Sequence, residues 1–316
     1  MEYWSGRTGI PVTLLTSRLG ISRSKYYEWT ERYGKVNNHN GKIPRDWWLL
    51  SEERQAILDF QAQHPFEGYR RLTYMMMDAD VVAVSATTVF RVLKSEGRLG
   101  RSNNRASLKG KGFCQPVKPH EHWHVDVSYL NIGGTFYYLC CVLDGCSRSI
   151  VAWDIKPSMK SDDIQLVIQK ALDAHPGVNP RIISDNGPQF VAIEFRKFVR
   201  FCGMTHVRTS PYYPQSNGKI ERFHKSLKVE AIRPLVPLNL NDATRIVGQY
   251  VHTYNNERLH SALSYVTPAD VLAGRKEEIL VTREKKLTAA RQARAQRRTL
   301  LIAQQSPSTH DPLPVV

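Results

Sequence analysis

The sequence lacks an apolar run long enough to cross a membrane. The longest uninterrupted run, Phe136–Leu143, has eight residues, whereas a membrane-spanning helix needs about 20. No positively charged segment followed by an apolar one opens the chain, so a secretory signal is not expected either. These absences predict a soluble, intracellular protein with no membrane partner.

Cysteine is scarce, and its spacing carries no pairing pattern. The chain has five cysteines, and none of them forms a C-x-x-C pair: Cys114, Cys140, Cys141, Cys146 and Cys202. Neither a disulfide framework nor a zinc knuckle is therefore expected, and we interpret these residues as buried, reduced thiols. A Gly-rich nucleotide-binding loop is also missing.

Acidic residues are too few to balance the basic ones. The 316 residues include 29 Asp and Glu against 44 Lys and Arg, which gives a formal net charge of +15. An excess of this size is typical of proteins that bind polyanions, so we expect nucleic acid first and an anionic membrane surface second. Because 41% of the residues are hydrophobic, the chain can bury a core and is not disordered throughout.

The N-terminal region contains the capping and helix-breaking residues that are typical of short helices joined by tight turns. Pro11 suits a first helical turn, Gly20 a break, and Ser22 the N-cap of the next helix. This pattern predicts a helix-turn-helix over residues 1–58, the motif that places a helix in the DNA major groove.

A second helical pair is expected over residues 59–104. Ser85 can cap a helix that buries Val89, Val92 and Leu93 while Arg91 and Lys94 point outward. We interpret this pair as a second helix-turn-helix-like domain with Arg91 and Lys94 on its DNA side. The alternative is an ordinary helical hairpin with solvated charges.

Charge and composition divide the remainder of the chain. Between Arg91 and Lys118 eight Lys or Arg face one acid, Glu96, which marks residues 105–119 as a basic linker. Strand-like residues begin at 120, and we expect a catalytic core over 120–272. Residues 273–316 are rich in Lys and Arg and predict a basic tail that is a solvated helix followed by disorder.

The predicted core alternates strands and helices in the order βββαβαβα. The expected strands are His122–Tyr129, Phe136–Leu143, Ser149–Lys156, 181–184 and Met204–Thr209. The first expected helix of the core has Ser161 as its N-cap. The second begins before Phe195, and the third begins at Lys219. This order is typical of a mixed α/β sheet with helices packed on it.

Three acidic residues occupy positions where the core converges: Asp126 inside the first strand, Asp185 at the end of the fourth, and Glu221 early in the third helix. Clustered carboxylates repel one another, and divalent cations offset that repulsion. Oxygen ligands favour Mg²⁺ or Mn²⁺, and two such ions support in-line phosphoryl transfer. We expect other acids, among them Asp144 and Asp163, to be solvated.

Five blocks of the sequence resemble one family. They are Trp123–Tyr129, Val142–Arg148, Ser184–Phe190, Ser210–Arg222 and Tyr254–Ala262. The interval of 35 residues between Asp185 and Glu221 belongs to the same pattern. Residues 60–272 are similar to the integrase-like core of DDE transposases from bacterial insertion sequences, in the branch whose second reading frame resembles retroviral integrases.

The resemblance implies a ribonuclease H-like catalytic core, two Mg²⁺ or Mn²⁺ ions per active site, and DNA strand transfer. Asp126, Asp185 and Glu221 would be the metal ligands. Further positions match the family's DNA-facing residues: Asn186, Gln189, Tyr213, Pro214, Lys225 and Lys228. The expected partners are double-stranded DNA, as element ends and as target, and further copies of the chain. The expected location is the bacterial cytoplasm, at the nucleoid.

The chain also departs from related families. Retroviral integrases carry a His and Cys zinc module, whereas His120, His122 and His124 alternate here without a cysteine pair, so structural zinc is not expected. No sustained heptad repeat occurs in the first hundred residues, and the chain can be one reading frame of a longer transposase. Two alternatives stay open: a DNA-binding protein with an inactive core, and a nuclease of the same fold without strand transfer.

Overall fold

A computed structural model describes residues 1–34, 48–99, 115–209 and 217–305. The chain divides into two compact units, one formed by residues 1–50 with 291–316 and the other by 51–290. Within the described ranges, no helix is both long and apolar enough to cross a membrane.

The first unit contains three short helices near the N-terminus: α1 (Glu2–Thr8), α2 (Val12–Arg18) and α3 (Arg23–Arg32). Ser22 caps α3 as expected, because its hydroxyl accepts a hydrogen bond from the Lys25 amide at 3.4 Å. The helix before Pro11 was not expected from the sequence. The assignment of this region as a helix-turn-helix remains a prediction.

The second unit begins with α4 (Ser51–Gln63), α5 (Tyr69–Asp78) and α6 (Ala86–Ser95). Ser85 caps α6 by accepting a hydrogen bond from the Thr88 amide at 3.3 Å. Val89, Val92 and Leu93 are buried, while Arg91 and Lys94 are exposed, so the two faces of α6 lie as the sequence predicts.

A five-stranded sheet forms the centre of this unit, in the order β3-β2-β1-β4-β5. The strands are β1 (His122–Ile132), β2 (Thr135–Asp144), β3 (Ile150–Lys156), β4 (Arg181–Ser184) and β5 (Thr205–Arg208). The first three pair antiparallel, and β4 and β5 continue the sheet parallel to β1. Gly133 and Gly134, with φ of +57° and +85°, form the two-residue turn between β1 and β2. The predicted mixed α/β, ribonuclease H-like architecture is confirmed.

Helices cover both faces of the sheet. On one face α7 (Ser161–Ala174), α8 (Pro188–Val191) and α9 (Ile193–Phe201) pack on a core that includes Trp123 and Val125. On the other face α10 (Gly218–Leu227) and α12 (Leu240–Asn256) pack on Leu130 and Leu139. Side chains alternate between the faces of a strand, so the even-numbered residues of β1 point towards α10.

The remaining elements follow from α10 onward. A π-helical segment (Lys228–Ile232) and α11 (Arg233–Leu235) extend α10. After α12 come a 3₁₀ turn (Ser261–Leu263), α13 (Pro268–Leu272) and α14 (Lys276–Gln305).

Three expectations from the sequence are wrong in detail: the N-cap of α7, the exposure of Asp144 and the solvation of the basic tail. The N-cap of α7 is Lys160, whose amide donates to Asp163 at 2.9 Å, rather than Ser161. Asp144 is fully buried instead of solvated, because the Ser147 hydroxyl donates to it at 2.6 Å and the His120 amide at 2.7 Å.

The basic tail is not a purely solvated helix, since Arg283 of α14 is only 4% exposed. Its guanidinium donates to both carboxylate oxygens of Asp78, at 2.8 and 2.6 Å. This contact fastens α14 to α5. The thiols of Cys140 and Cys141 are free and buried, as expected, whereas those of Cys146 and Cys202 are free but only partly buried; Cys114 lies outside the described residues.

Candidate active site

Asp126 and Asp185 occupy matching positions on neighbouring strands. In the parallel pairing of β1 with β4, His124 is the partner of Ile183, and each carboxylate follows two residues later. Asp126 therefore lies within β1, and Asp185 immediately follows the last residue of β4. Because side chains repeat every second residue along a strand, both carboxylates belong to the sheet face that α10 covers.

Glu221 joins Asp126 from the helix side. It lies in the first turn of α10, and both carboxylates line one open cavity of about 330 Å³. The other residues around this cavity are Ser128, His224, Lys225, Lys228, Val229 and Arg233. Asp185 does not line the cavity.

The three carboxylates nonetheless interact electrostatically. Partial burial raises the pKa of Glu221, and the negative charges of Asp126 and, more weakly, Asp185 raise it further, while His224 opposes the shift. A carboxyl group between two others is harder to ionise, and a divalent cation relieves that repulsion.

The donor set suits a hard cation. All three candidate ligands are carboxylates, which is the chemistry that Mg²⁺ and Mn²⁺ prefer. Among the described residues, no three His, Cys, Asp or Glu side chains are yet close enough together to hold an ion. The carboxylates thus fit a divalent cation by type and placement, but they would have to draw together around it.

Asp185 is held in a local turn. Its Oδ1 accepts a hydrogen bond from the Gly187 amide at 2.9 Å, and Asn186 Nδ2 donates to the Thr209 carbonyl at 2.9 Å. A Cβ on Gly187 would lie 2.5 Å from Gln189 Nε2 and 3.1 Å from Asp185 Oδ1. The absence of a side chain at Gly187 therefore leaves room for the predicted DNA-facing residue Gln189 next to the Asp185 carboxylate.

Two of the predicted DNA-contacting lysines lie at the cavity. Lys225 and Lys228 follow Glu221 by four and seven residues and line the same space, so their common helical face is present. Burial lowers the pKa of Lys228, and the charge of Asp126 partly offsets that effect. Tyr213 and Pro214 lie outside the described residues.

His224 is a cavity residue that sequence reasoning missed. It is only 4% exposed, and its Nδ1 lies 3.3 Å from Asp126 Oδ2. Its spacing of three residues from Glu221 places it on the same helical face and was the available signal. Arg233 and Ser128 were missed as well, and Arg233 comes after the π-helical segment, whose presence no spacing rule indicates.

Comparison with known proteins agrees with this geometry. Two models of the family described as integrase core domain match residues 116–214 and 202–268. These matches contain Asp126, Asp185 and Glu221. They also contain the cavity-lining residues Lys225, Lys228 and His224.

Two of the similar proteins are transposases of insertion sequences. The transposase for insertion sequence element IS904 of Lactococcus lactis is 28% identical over 179 residues, covering 56% of this chain and 70% of that protein. Transposase InsD for insertion element IS2 of Escherichia coli is 27% identical over 292 residues, covering 84% of this chain and 92% of its own length.

A solved structure of the HTLV-2 integrase catalytic core domain in complex with magnesium overlaps 49% of this chain and 97% of its own, with 20% identity and a TM-score of 0.41. The sequence relatives and the family models agree with the motifs quoted above. The integrase core domain therefore matches residues 116–268 of this chain, and the chain is similar over most of its length to an insertion-sequence transposase.

Proposed function

We propose that this protein cleaves DNA at the ends of an insertion sequence and joins the freed 3′-hydroxyl to another DNA strand. The observation that carries the proposal is the shared cavity of Asp126 and Glu221, with Asp185 directly after the end of β4, the strand that pairs with β1. Two lysines at the same cavity supply positive charge for a DNA backbone.

Asp126, Asp185 and Glu221 would hold the divalent cations, Mg²⁺ or Mn²⁺. When bound, such ions activate the attacking hydroxyl and stabilise the departing oxygen of an in-line displacement. Both steps use this chemistry. In the first, water attacks the phosphodiester at the element end and releases a 3′-hydroxyl; in the second, that hydroxyl attacks a phosphodiester of the target.

The protein's own residues position the DNA and the carboxylates. Lys225 and Lys228 would each contact a backbone phosphate, because they lie one and two turns beyond Glu221 on its face. Asn186, Gln189, Tyr213 and Pro214 would contact DNA from the loops around the site. Arg91 and Lys94, exposed on α6, would contact DNA at the element end.

Two ends and one target must be handled together, so the active form would be an oligomer bound to double-stranded DNA. Each predicted domain would contribute differently to that complex. Residues 1–58 and 59–104 would recognise the ends, and residues 105–119 would link them to the core at 120–272. Residues 273–316 would follow the core as a basic tail.

The test is metal-dependent nicking and joining by the full chain. The substrate is a labelled duplex that carries the terminal sequence flanking the gene, with a supercoiled plasmid as target and Mg²⁺ or a chelator added. We expect Glu221→Gln to abolish both reactions and to leave end binding almost unchanged. Glu194→Gln is the matched control, because Glu194 is an exposed residue in the first turn of α9.

Each outcome separates the candidate functions. Wild-type turnover by a folded Glu221→Gln protein would remove Glu221 from the site. Nicking without joining would indicate a nuclease of the same fold. End binding without any metal-dependent nicking would indicate a DNA-binding protein with an inactive core.

A further inference from the structure

A second cavity, of about 1020 Å³, lies along another face of α10. It is lined by Lys219, Arg222 and Ser226 of α10, whereas Glu221 and Lys225 line the carboxylate cavity. At 3.6 residues per turn the mean directions of these two sets of residues differ by about 110°. The two cavities therefore open on adjacent faces of the helix.

Three of the motif blocks singled out in the sequence meet at this cavity. Arg148 comes from the block Val142–Arg148, Lys219 and Arg222 from the block that ends at Arg222, and Arg258 from the block Tyr254–Ala262. The proposed chemistry uses only Glu221 from these three blocks. Their convergence has no role in it.

The lining of this cavity is strongly basic. Five of its residues are Arg or Lys, and none of its lining residues is Asp or Glu: Arg71, Arg148, Lys219, Arg222 and Arg258. Burial lowers the pKa of Arg148, and the charge of the neighbouring Arg222 lowers it further. The positive charges in this cavity therefore repel one another.

Acids outside the lining form ion pairs with two of the five cations, and the charge of Asp144 acts on Arg148 and Lys219 without a direct ion pair. Glu67 forms an ion pair with Arg71, and Glu230 accepts from Arg258 Nη2 at 2.8 Å. Within the described ranges, Arg148, Lys219 and Arg222 form no ion pair. Lys219 Nζ instead donates to the Gly145 carbonyl at 2.7 Å. Three clustered cations therefore have no direct ion-pair partner among the described residues.

We infer that this cavity binds a backbone phosphate of DNA, on the face of α10 adjacent to the one at which the carboxylates hold the reacting phosphodiester. Arginine donors match phosphate oxygens in a planar, two-pronged geometry. The first turn of α10, a ten-residue helix, reaches the cavity at Gly218 and adds its positive end. The inference rests on the proposed function for its choice of DNA as the source of the phosphate.

The test uses the full chain with Arg222→Ala and, as a charge reversal, Arg222→Glu. Arg222 is exposed, so both variants should fold. Arg200→Ala is the matched control, an exposed arginine on α9, which packs on the opposite face of the sheet. The first arm measures thermal unfolding with inorganic pyrophosphate, in chelator and without DNA. The second arm measures binding of duplex DNA at several salt concentrations.

We expect the apparent affinity for pyrophosphate to fall roughly tenfold in Arg222→Ala, since hydrogen bonds to charged groups are the strong ones. The slope of log affinity for DNA against log salt should shrink by about 0.7–0.9 per lost phosphate contact. Arg222→Glu should show larger effects on both measurements, and Arg200→Ala should match the wild type.

Two results would overturn the inference. Unchanged pyrophosphate binding in both Arg222 variants would mean that the cavity is not an anion site. Weakened pyrophosphate binding with an unchanged DNA slope would mean a site for free anions instead of DNA. Neither arm contains metal or requires turnover, so a protein that fails to nick DNA would disprove the proposed function while both arms remained informative.

Discussion

The imidazole of His224 faces the carboxylate of Asp126, with Nδ1 3.3 Å from Oδ2. Both residues line the carboxylate cavity, and among the described residues His224 Nε2 is buried without a hydrogen-bond partner. Nδ1 is therefore the ring nitrogen that faces the Asp126 carboxylate. From this position the imidazole can orient that carboxylate at the cavity.

Replacing His224 should lower the apparent affinity for the divalent cation or the rate of metal-dependent cleavage. We expect His224→Ala to reduce cleavage, or the apparent metal affinity, about 10–100-fold, as for other groups that orient a metal ligand. His224→Asn retains an N–H donor and should recover part of the loss. Titrations of Mg²⁺ and Mn²⁺ against cleavage rate measure the effect, with denaturant unfolding to monitor stability.

His252→Ala is the matched control, because His252 is exposed on α12 and its nearest acid is Glu257, at 3.6 Å. An alanine variant at His224 with the metal dependence of the wild type would show that the contact with Asp126 has no positioning role.

Lys225 and Lys228 should contribute to DNA affinity without reading its sequence. If each neutralises one phosphate, Lys225→Ala with Lys228→Ala should reduce the log–log salt slope by roughly 1.4–1.8. Preference for end over random DNA should stay nearly constant, because phosphate contacts position DNA without specifying bases. Competition binding at several salt concentrations measures both quantities. Lys197→Ala on α9 is the control, and an unchanged slope in the double variant would assign both lysines to the solvated surface.

Arg283 should contribute to the free energy of unfolding, although it lies in a basic segment that the sequence predicts to be solvated. Besides both oxygens of Asp78, it donates to the Tyr265 carbonyl at 2.8 Å. We expect Arg283→Ala to lower the free energy of unfolding by about 2–3 kcal/mol, since a buried charged donor and its acceptors lose their partners. Denaturant unfolding checks this, with exposed Lys285 of the same helix replaced by Ala for comparison. Equal stability of the two variants would contradict the prediction.

His260 should make the fold sensitive to acid. Burial and Arg258 lower its pKa from 6.5 to about 4, so between these values the unfolded chain binds a proton that the folded chain does not. The free energy of unfolding then falls as the pH drops from about 6.5 towards 4, by as much as about 2 kcal/mol from this residue at pH 5. His260→Gln removes the contribution and should flatten the profile; parallel profiles for the variant and the wild type would refute it.

Part of the candidate site could be predicted because strand alternation and helical spacing depend only on residues close together in the sequence. Strand alternation placed Asp126 inside β1, and helical spacing placed Glu221 and Lys225 on one face. The parallel pairing of β1 with β4, which the sequence analysis did not specify, places Asp185 at the end of the strand next to the one that carries Asp126.

What the sequence could not predict depends on partners far along the chain. Arg283 reads as one more charge in a basic run, and only Asp78, more than 200 residues earlier, explains its burial. Asp144 appeared to be one acid among many until the turn after β2 closed around it. The burial of His224 likewise depends on how closely α10 approaches β1.

The π-helical segment after α10 changes the rotation about the helix axis that a given number of residues produces. From Glu221 to Arg233 is twelve residues, and an uninterrupted α-helix would turn Arg233 about 120° away from Glu221. Five residues of wider winding remove most of that rotation, since each π turn takes in about one residue more than an α turn. Arg233 is thereby rotated back to the carboxylate cavity. Deleting one residue between 228 and 232 would give an ordinary α-helix with the same phase, whereas deleting one earlier in α10 would turn the lysines away from the carboxylates.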